Sequence, residues 1–211
     1  MECDGILFDL DGTLWNATVT LTESWKIVTD AAPDVERAPT VAEMESVMGM
    51  TPKPLMATLF PGLPEERRDE LYRAWRDMQD DYMREHGGVL YPHLKETLKR
   101  LGEKVPLAIV SNCNTEYIPA FLDAHSLHGY FSDWECAGRT GRDKWENILL
   151  VAHRNGLQHP VYVGDTALDR DSAQMAGVAF IHAAYGFGKL EGVPAVQTFE
   201  ELPALLFGER S

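Results

Sequence analysis

Apolar residues gather in short runs at positions 5–8, 107–110, 161–163 and 178–181, each followed by a polar or glycine-containing turn. Runs of this length without polar alternation read as parallel strands buried on both faces. A weaker fifth run covers 134–137. Between the runs, apolar positions recur at helical spacing over 94–101, 116–125, 144–155 and 171–176. Strands alternating with helices predict an α/β fold with a mostly parallel sheet. Such a sheet gathers its ligands at the carboxyl ends of the strands.

One segment breaks the alternation. From Asn16 to Gly88 the pattern is helical, over 22–29, 41–47 and 65–84, with no convincing strand. Residues 1–15 and 89–211 are therefore expected to form the α/β core domain, and 16–88 an inserted all-helical module. Gly87-Gly88 and Tyr91-Pro92 mark the return to the core as hinge-like chain. The helical stripe Leu71, Trp75, Met78 and Tyr82 is read as packing within the module.

Composition narrows the function classes. A chain of 211 residues, 45% hydrophobic, is long enough for a full core and a smaller accessory module. Its formal net charge of -14, with no basic run, makes nucleic acid and anionic membrane surfaces poor partners. No apolar stretch approaches the ~20 residues that span a bilayer, and the amino terminus lacks a basic leader. Cys3, Cys113 and Cys136 show no C-x-x-C spacing and are expected to be reduced thiols. Together these features predict a cytoplasmic protein, and none implies a protein partner.

The first strand ends in Phe8-Asp9-Leu10-Asp11-Gly12-Thr13-Leu14. Alternation along an extended backbone would point Asp9 and Asp11 the same way, so a cation or a proton is needed between them. Three further stations follow the later strands. Ser111-Asn112 offers a hydroxyl, an amide and backbone N–H groups for phosphoryl oxygens. Lys144 opens a helical pattern and supplies one positive charge. Gly164-Asp165-Thr166-Ala167-Leu168-Asp169 adds two carboxylates at another strand end. Taken singly, the first carboxylate pair reads as a solvated turn, Ser111 as a helix N-cap and Lys144 as a solvated lysine. Together their hard oxygen ligands suit Mg2+, which also takes waters and substrate oxygens.

These stations resemble, in order along the chain, the four motifs of the haloacid dehalogenase superfamily in its phosphatase branch. The stretch from Gly164 to Gly177 resembles the phosphoglycolate phosphatase-like group, and the insertion is similar to a helical C1 cap. The resemblance implies a Rossmann-like core and an aspartyl phosphate formed on Asp9, with Asp11 as general acid and base. It implies Mg2+ held by Asp9, the backbone carbonyl of Asp11 and Asp165, with Asp169 on a metal-bound water or orienting the site. Gly12, Thr13 and Asn112 would bind substrate, and Ser111 and Lys144 would steady the phosphoryl group. The implied partner is a small phosphorylated metabolite: phosphoglycolate, a sugar phosphate or a nucleotide monophosphate.

Asp11 disfavours dehalogenation, because true dehalogenases lack an aspartate there. A phosphomutase of the β-phosphoglucomutase type remains the alternative, since it shares the cap and all four motifs; an inactive phosphate-binding protein is the third reading. Gly186-Phe187-Gly188 lacks the spacing of a dinucleotide fingerprint. Asn16, Lys144-Trp145 and Tyr91-Pro92-His93 depart from common family choices, with His93 read as a helix-start residue and Arg139 and Arg142 as possible stand-ins for Lys144. In the insertion, the turn Met48-Gly49-Met50-Thr51-Pro52-Lys53 reads either as an ordinary interhelical turn or as the specificity loop, with Gly49 permitting a close turn and Thr51 and Lys53 meeting a polar substrate. Trp15 is expected to line the entrance or to pack.

Overall fold

The computed structural model describes residues 2–208. Strand β1 (Gly5–Phe8) leads to a two-residue strand β2 (Trp15–Asn16), and four helices follow: α1 (Thr18–Asp30), α2 (Val41–Val47), α3 (Pro52–Leu59) and α4 (Glu65–His86). The chain returns through β3 (Val89–Leu90) and then alternates: α5 (Leu94–Gly102), β4 (Leu107–Ser111), α6 (Tyr117–His125), β5 (Asp133–Cys136), α7 (Ala137–Thr140), α8 (Lys144–Arg154), β6 (Pro160–Gly164), α9 (Ala167–Met175), β7 (Ala179–Ala183), β8 (Ala195–Val196) and α10 (Leu202–Phe207). Six strands form a parallel sheet in the order β5-β4-β1-β6-β7-β8.

The pleat explains the uninterrupted apolar runs. Ile6, Phe8, Ile109 and Val163 point to one face, where Leu98 of α5, Phe121 of α6 and Leu202 of α10 cover them. Leu7, Ala108, Val110 and Tyr162 point to the other, under Ile148 and Val151 of α8 and Ala173 of α9. A strand covered on both sides has no polar positions to spare. Each fully buried large side chain contributes about 1.5–3 kcal/mol.

The inserted helices have their own aromatic centre. Trp25 of α1 stacks on Trp75 of α4 at 4.4 Å and 10° between planes, and Phe60 lies 5.2 Å from Trp25. Trp75 Nε1 donates to Ser24 Oγ at 2.9 Å, so the indole is buried without an orphaned donor. Of the stripe, Leu71 and Trp75 are buried, whereas Tyr82 turns outward and stacks on His86 at 4.0 Å. At the start of α1, Asn16 Oδ1 accepts from the Thr18 N–H at 3.0 Å and from its hydroxyl.

Four features add to or correct these expectations. Helix α3 was not anticipated, and it takes Pro52 and Lys53 out of the expected loop; Pro52 sits at its start, where a missing N–H costs nothing. The two crossings to and from the core, expected as hinge-like chain, run side by side, with β2 and β3 paired antiparallel, Trp15 with Leu90 and Asn16 with Val89. Helix α9 begins at Ala167 rather than 171, since Thr166 and Asp169 form a capping box around its first turn. Strand β8 and helix α10, too short to show a period, complete the sheet edge and its cover.

Candidate active site

Asp9 lies just past β1, its N–H donating to the Val163 carbonyl at 2.8 Å. Alternation after Leu7 turns its side chain toward the face covered by α8 and α9. Those two helices begin at the carboxyl edge of the sheet, and their first turns carry Lys144 and Asp169. The buried Lys144 Nζ donates to Asp9 Oδ1 at 2.9 Å and to Asp169 Oδ1 at 2.6 Å. Arg139 does not replace it: its guanidinium stands over the Trp134 ring at 4.9 Å.

Asp165, at the end of β6, receives the Phe187 N–H on Oδ2 at 2.8 Å and the Thr13 hydroxyl on Oδ1 at 3.5 Å. Gly12 adopts φ +80°, and a Cβ there would strike the Asp165 carboxylate. Carboxylate oxygens of Asp9, Asp165 and Asp169 all lie within 4.8 Å of one another. Burial first, then the charges of Asp169 and Asp9, push the Asp165 carboxyl up to about 8. Burial and Asp169 likewise raise Asp9, against the pull of Lys144. Three buried carboxylates against one ammonium leave a deficit of positive charge, and an all-oxygen donor set suits a hard divalent cation. The residues present therefore fit a magnesium ion. Asp169 is the most committed of the three, with Oδ1 on Lys144 and Oδ2 accepting from the Thr166 N–H at 2.9 Å and hydroxyl at 2.6 Å.

Asp11 lies close enough to Asp9 for the two charges to conflict, as expected. Past Asp9 the Leu10 carbonyl accepts from the Thr13 and Leu14 N–H groups in a tight turn. Asp11 Oδ1 accepts from the buried Tyr117 hydroxyl at 3.0 Å and faces the cleft under the inserted helices. Burial, and next the charge of Asp9, push the Asp11 carboxyl up to about 7. Ser111 and Asn112 line the same cleft from the end of β4.

From the inserted segment, Gly49 reaches this cleft and its carbonyl accepts from Asn112 Nδ2 at 3.1 Å. Lys53 does not: it is exposed and paired with Glu65 at 2.6 Å. Thr51 is the exposed residue before α3 and also lies outside the cleft lining. Both assignments are corrected by α3, whose start carries these side chains away. His93 sits before α5 with φ +58°, as a helix-start residue, and Trp15 is fully buried against Tyr117 and Phe121.

Sequence reasoning missed the supports. Tyr117 holds Asp11, the Tyr185 hydroxyl donates to the Thr13 carbonyl at 2.8 Å, and His182 Nε2 donates to the Asp165 carbonyl at 3.1 Å. The glycines set aside as a failed fingerprint also have a use: a Cβ on Gly186 would collide with Asp165 and the Gly12 carbonyl, so only glycine brings the Phe187 N–H onto Asp165. Tyr185-Gly186-Phe187-Gly188 after the last long strand was the available cue.

The family model for haloacid dehalogenase-like hydrolase matches residues 6–183. The chain belongs to that family. Within it, this is an enzyme of the phosphohydrolase kind, similar to proteins named phosphoglycolate phosphatase. The one from Escherichia coli K12 is 29% identical over 227 aligned positions, covering 92% of this chain and 86% of its own. The one from Vibrio vulnificus CMCP6 is 29% identical over 204 positions, covering 90% and 87%. In fold, the chain matches a haloacid dehalogenase-like family hydrolase from Streptococcus pneumoniae with a TM-score of 0.80 at 19% identity, over 96% of this chain and 98% of that one. It also matches a subfamily IA hydrolase from Geobacter sulfurreducens with a TM-score of 0.72 at 21% identity, over 97% and 96%. Among the described residues, no helix is long and apolar enough to cross a membrane.

Proposed function

We propose that this protein is a Mg2+-dependent phosphatase that hydrolyses a small phosphate monoester through an aspartyl phosphate on Asp9. In this reading residues 16–88 act as the cap over a core of 1–15 and 89–211, and the enzyme is cytoplasmic, in keeping with three unpaired cysteines. The observation that carries the proposal is the meeting of Asp9, Lys144, Asp165 and Asp169 at one edge of the sheet, beside a cleft into which Asp11 faces.

An Asp9 carboxylate oxygen attacks phosphorus while the bond from phosphorus to the leaving oxygen breaks, and Asp11 gives that oxygen its proton. A carboxyl pushed up to about 7 holds a proton near neutral pH and can surrender it to an alkoxide. Water then attacks the phosphoaspartate, passes its proton to Asp11, and releases phosphate and the free Asp9 carboxylate. Lys144 and Ser111 offset charge on the transferring oxygens. Mg2+, held by Asp9, Asp165 and the Asp11 carbonyl with Asp169 behind them, would supply positive charge opposite the phosphoryl group. Tyr117 keeps Asp11 aimed at the cleft.

The test is phosphate release from a panel of monoesters with Mg2+ and with chelator, for wild type beside a folded Asp9→Asn variant. Activity that needs both Mg2+ and Asp9 is expected. Equal activity in both proteins would remove Asp9 as the nucleophile, and silence relieved only by a priming sugar bisphosphate would identify a mutase.

A further inference from the structure

The cleft above Asp11 has a largely apolar wall. Leu21, Met44, Val47, Met48 and Leu55 form it, with the Trp75 ring among them. Several of the amides and hydroxyls that reach the cleft are engaged with one another or with the backbone. Tyr72 donates its hydroxyl to Asn114 Oδ1 at 2.7 Å, Asn114 Nδ2 donates to Gln79 Oε1 at 3.1 Å, and Asn112 Nδ2 is held by the Gly49 carbonyl. Among the described residues, no Lys, Arg or His lines the space, and its one acidic side chain is Asp11. Lys53, the cation nearest in sequence, is drawn to Glu65 at the surface.

A carboxylate brought here would lose its water and find no cation. An unpaired charge is penalised far more heavily by such a site than a neutral group of the same shape. An alkyl or amide group would instead bury apolar surface against the methionines, whose unbranched side chains adapt to irregular shapes. The free volume is about 70 Å³, small beside the ~300–1,000 Å³ of ordinary ligand clefts. That suits a small leaving group.

We propose that the leaving group accepted here is a small, uncharged, mainly apolar alcohol, so the preferred substrates are phosphate monoesters of neutral alcohols rather than phosphoglycolate. This rests on the phosphatase reading above and narrows its substrate class. The Met48–Met50 turn and the adjoining faces of α1, α2 and α4 set the preference, while the residues around Asp9 set the chemistry.

The test compares kcat/KM, with saturating Mg2+, for phosphoglycolate and glycolamide phosphate, which differ chiefly in the charge of one terminal group. Propyl phosphate reports the apolar wall, and 4-nitrophenyl phosphate, with its easily expelled leaving group, reports the chemistry itself. The two neutral alkyl esters are expected to exceed phosphoglycolate by at least about tenfold. In Met50→Lys, which adds a cation at a partly exposed position of the lining, that gap should narrow. If phosphoglycolate equals or exceeds glycolamide phosphate while 4-nitrophenyl phosphate is turned over, this proposal fails and the phosphatase reading stands. If none of the four esters releases phosphate, the phosphatase reading fails and takes this one with it. A gap unmoved in folded Met50→Lys protein would put the leaving group outside the cleft, overturning the proposal as well.

Discussion

At the carboxyl edge of the sheet, Asp9, Asp165 and Asp169 stand around Lys144, every one of them buried and tied by hydrogen bonds of defined length. Across the cleft, Leu21, Met44, Val47 and Trp75 make a wall with no charge at all. The floor depends on particular functional groups at particular strand ends, because moving a carboxylate by one residue turns it to the other face. The wall depends on shape and apolarity, which many side chains supply. Chemistry is thus concentrated at the hydrogen-bonded strand ends, and substrate preference where substitution is cheapest.

The sharpest way to break this contrast is to disarm the floor alone. Asp9→Asn changes one oxygen to nitrogen in a buried site and should lower phosphate release by roughly 10³-fold or more, with the far-ultraviolet circular dichroism unchanged. A variant that keeps a tenth of wild-type turnover would mean the floor does not carry the reaction.

Lys144→Met tests what holds the floor together. It leaves Asp9 and Asp169 facing each other without the ammonium, and breaking a buried ion pair from one side costs about 3–5 kcal/mol. The loss should show as a lower denaturation midpoint in chelator. An unchanged midpoint would mean the two carboxylates had already taken up protons.

A cation should act on the floor and not on the wall. Mg2+ at 100 times its dissociation constant would stabilise the fold by about 2.7 kcal/mol, a shift of about 5–10 °C in a protein of this size. Asp165→Asn should abolish the shift, and Met44→Leu should leave it intact. Equal shifts in all three proteins would place the ion elsewhere.

The same contrast explains what the sequence disclosed. Asp9, Asp11, Asp165 and Lys144 were legible because each sits in a short, ordered motif immediately after a strand or at the start of a helix. The parallel strands were legible because burial on both faces removes polar residues. Tyr117 and His182 were not: each serves the site through one hydrogen bond from an element of its own, and an isolated aromatic has no spacing to betray it. Helix α3 was hidden by Pro52 and Pro54, which read as breakers although the first begins the helix. The apolar wall was hidden most completely, since Leu21, Val47 and Trp75 look like ordinary packing until the helices are brought together over Asp11.

The smallest effect lies outside both regions, on the flank of α4. Asp80 is partly exposed, yet its Oδ1 is enclosed without a hydrogen-bond partner. Burial, and next the charge of Glu116, push its carboxyl up to about 6, against Arg84 and Arg76. A folded-state value above the unfolded one means that the native protein binds the extra proton, so stability falls as pH rises from about 4 through about 6. Screening by solvent reduces the effect to about 1 kcal/mol. Asp80→Asn should therefore raise the melting temperature by about 2–4 °C at pH 7 and leave it unchanged at pH 4. Because Asp80 touches neither floor nor wall, kcat/KM should stay the same across the pair. A gain of equal size at both pH values would mean that side-chain shape, not the buried charge, is what the flank of α4 resists.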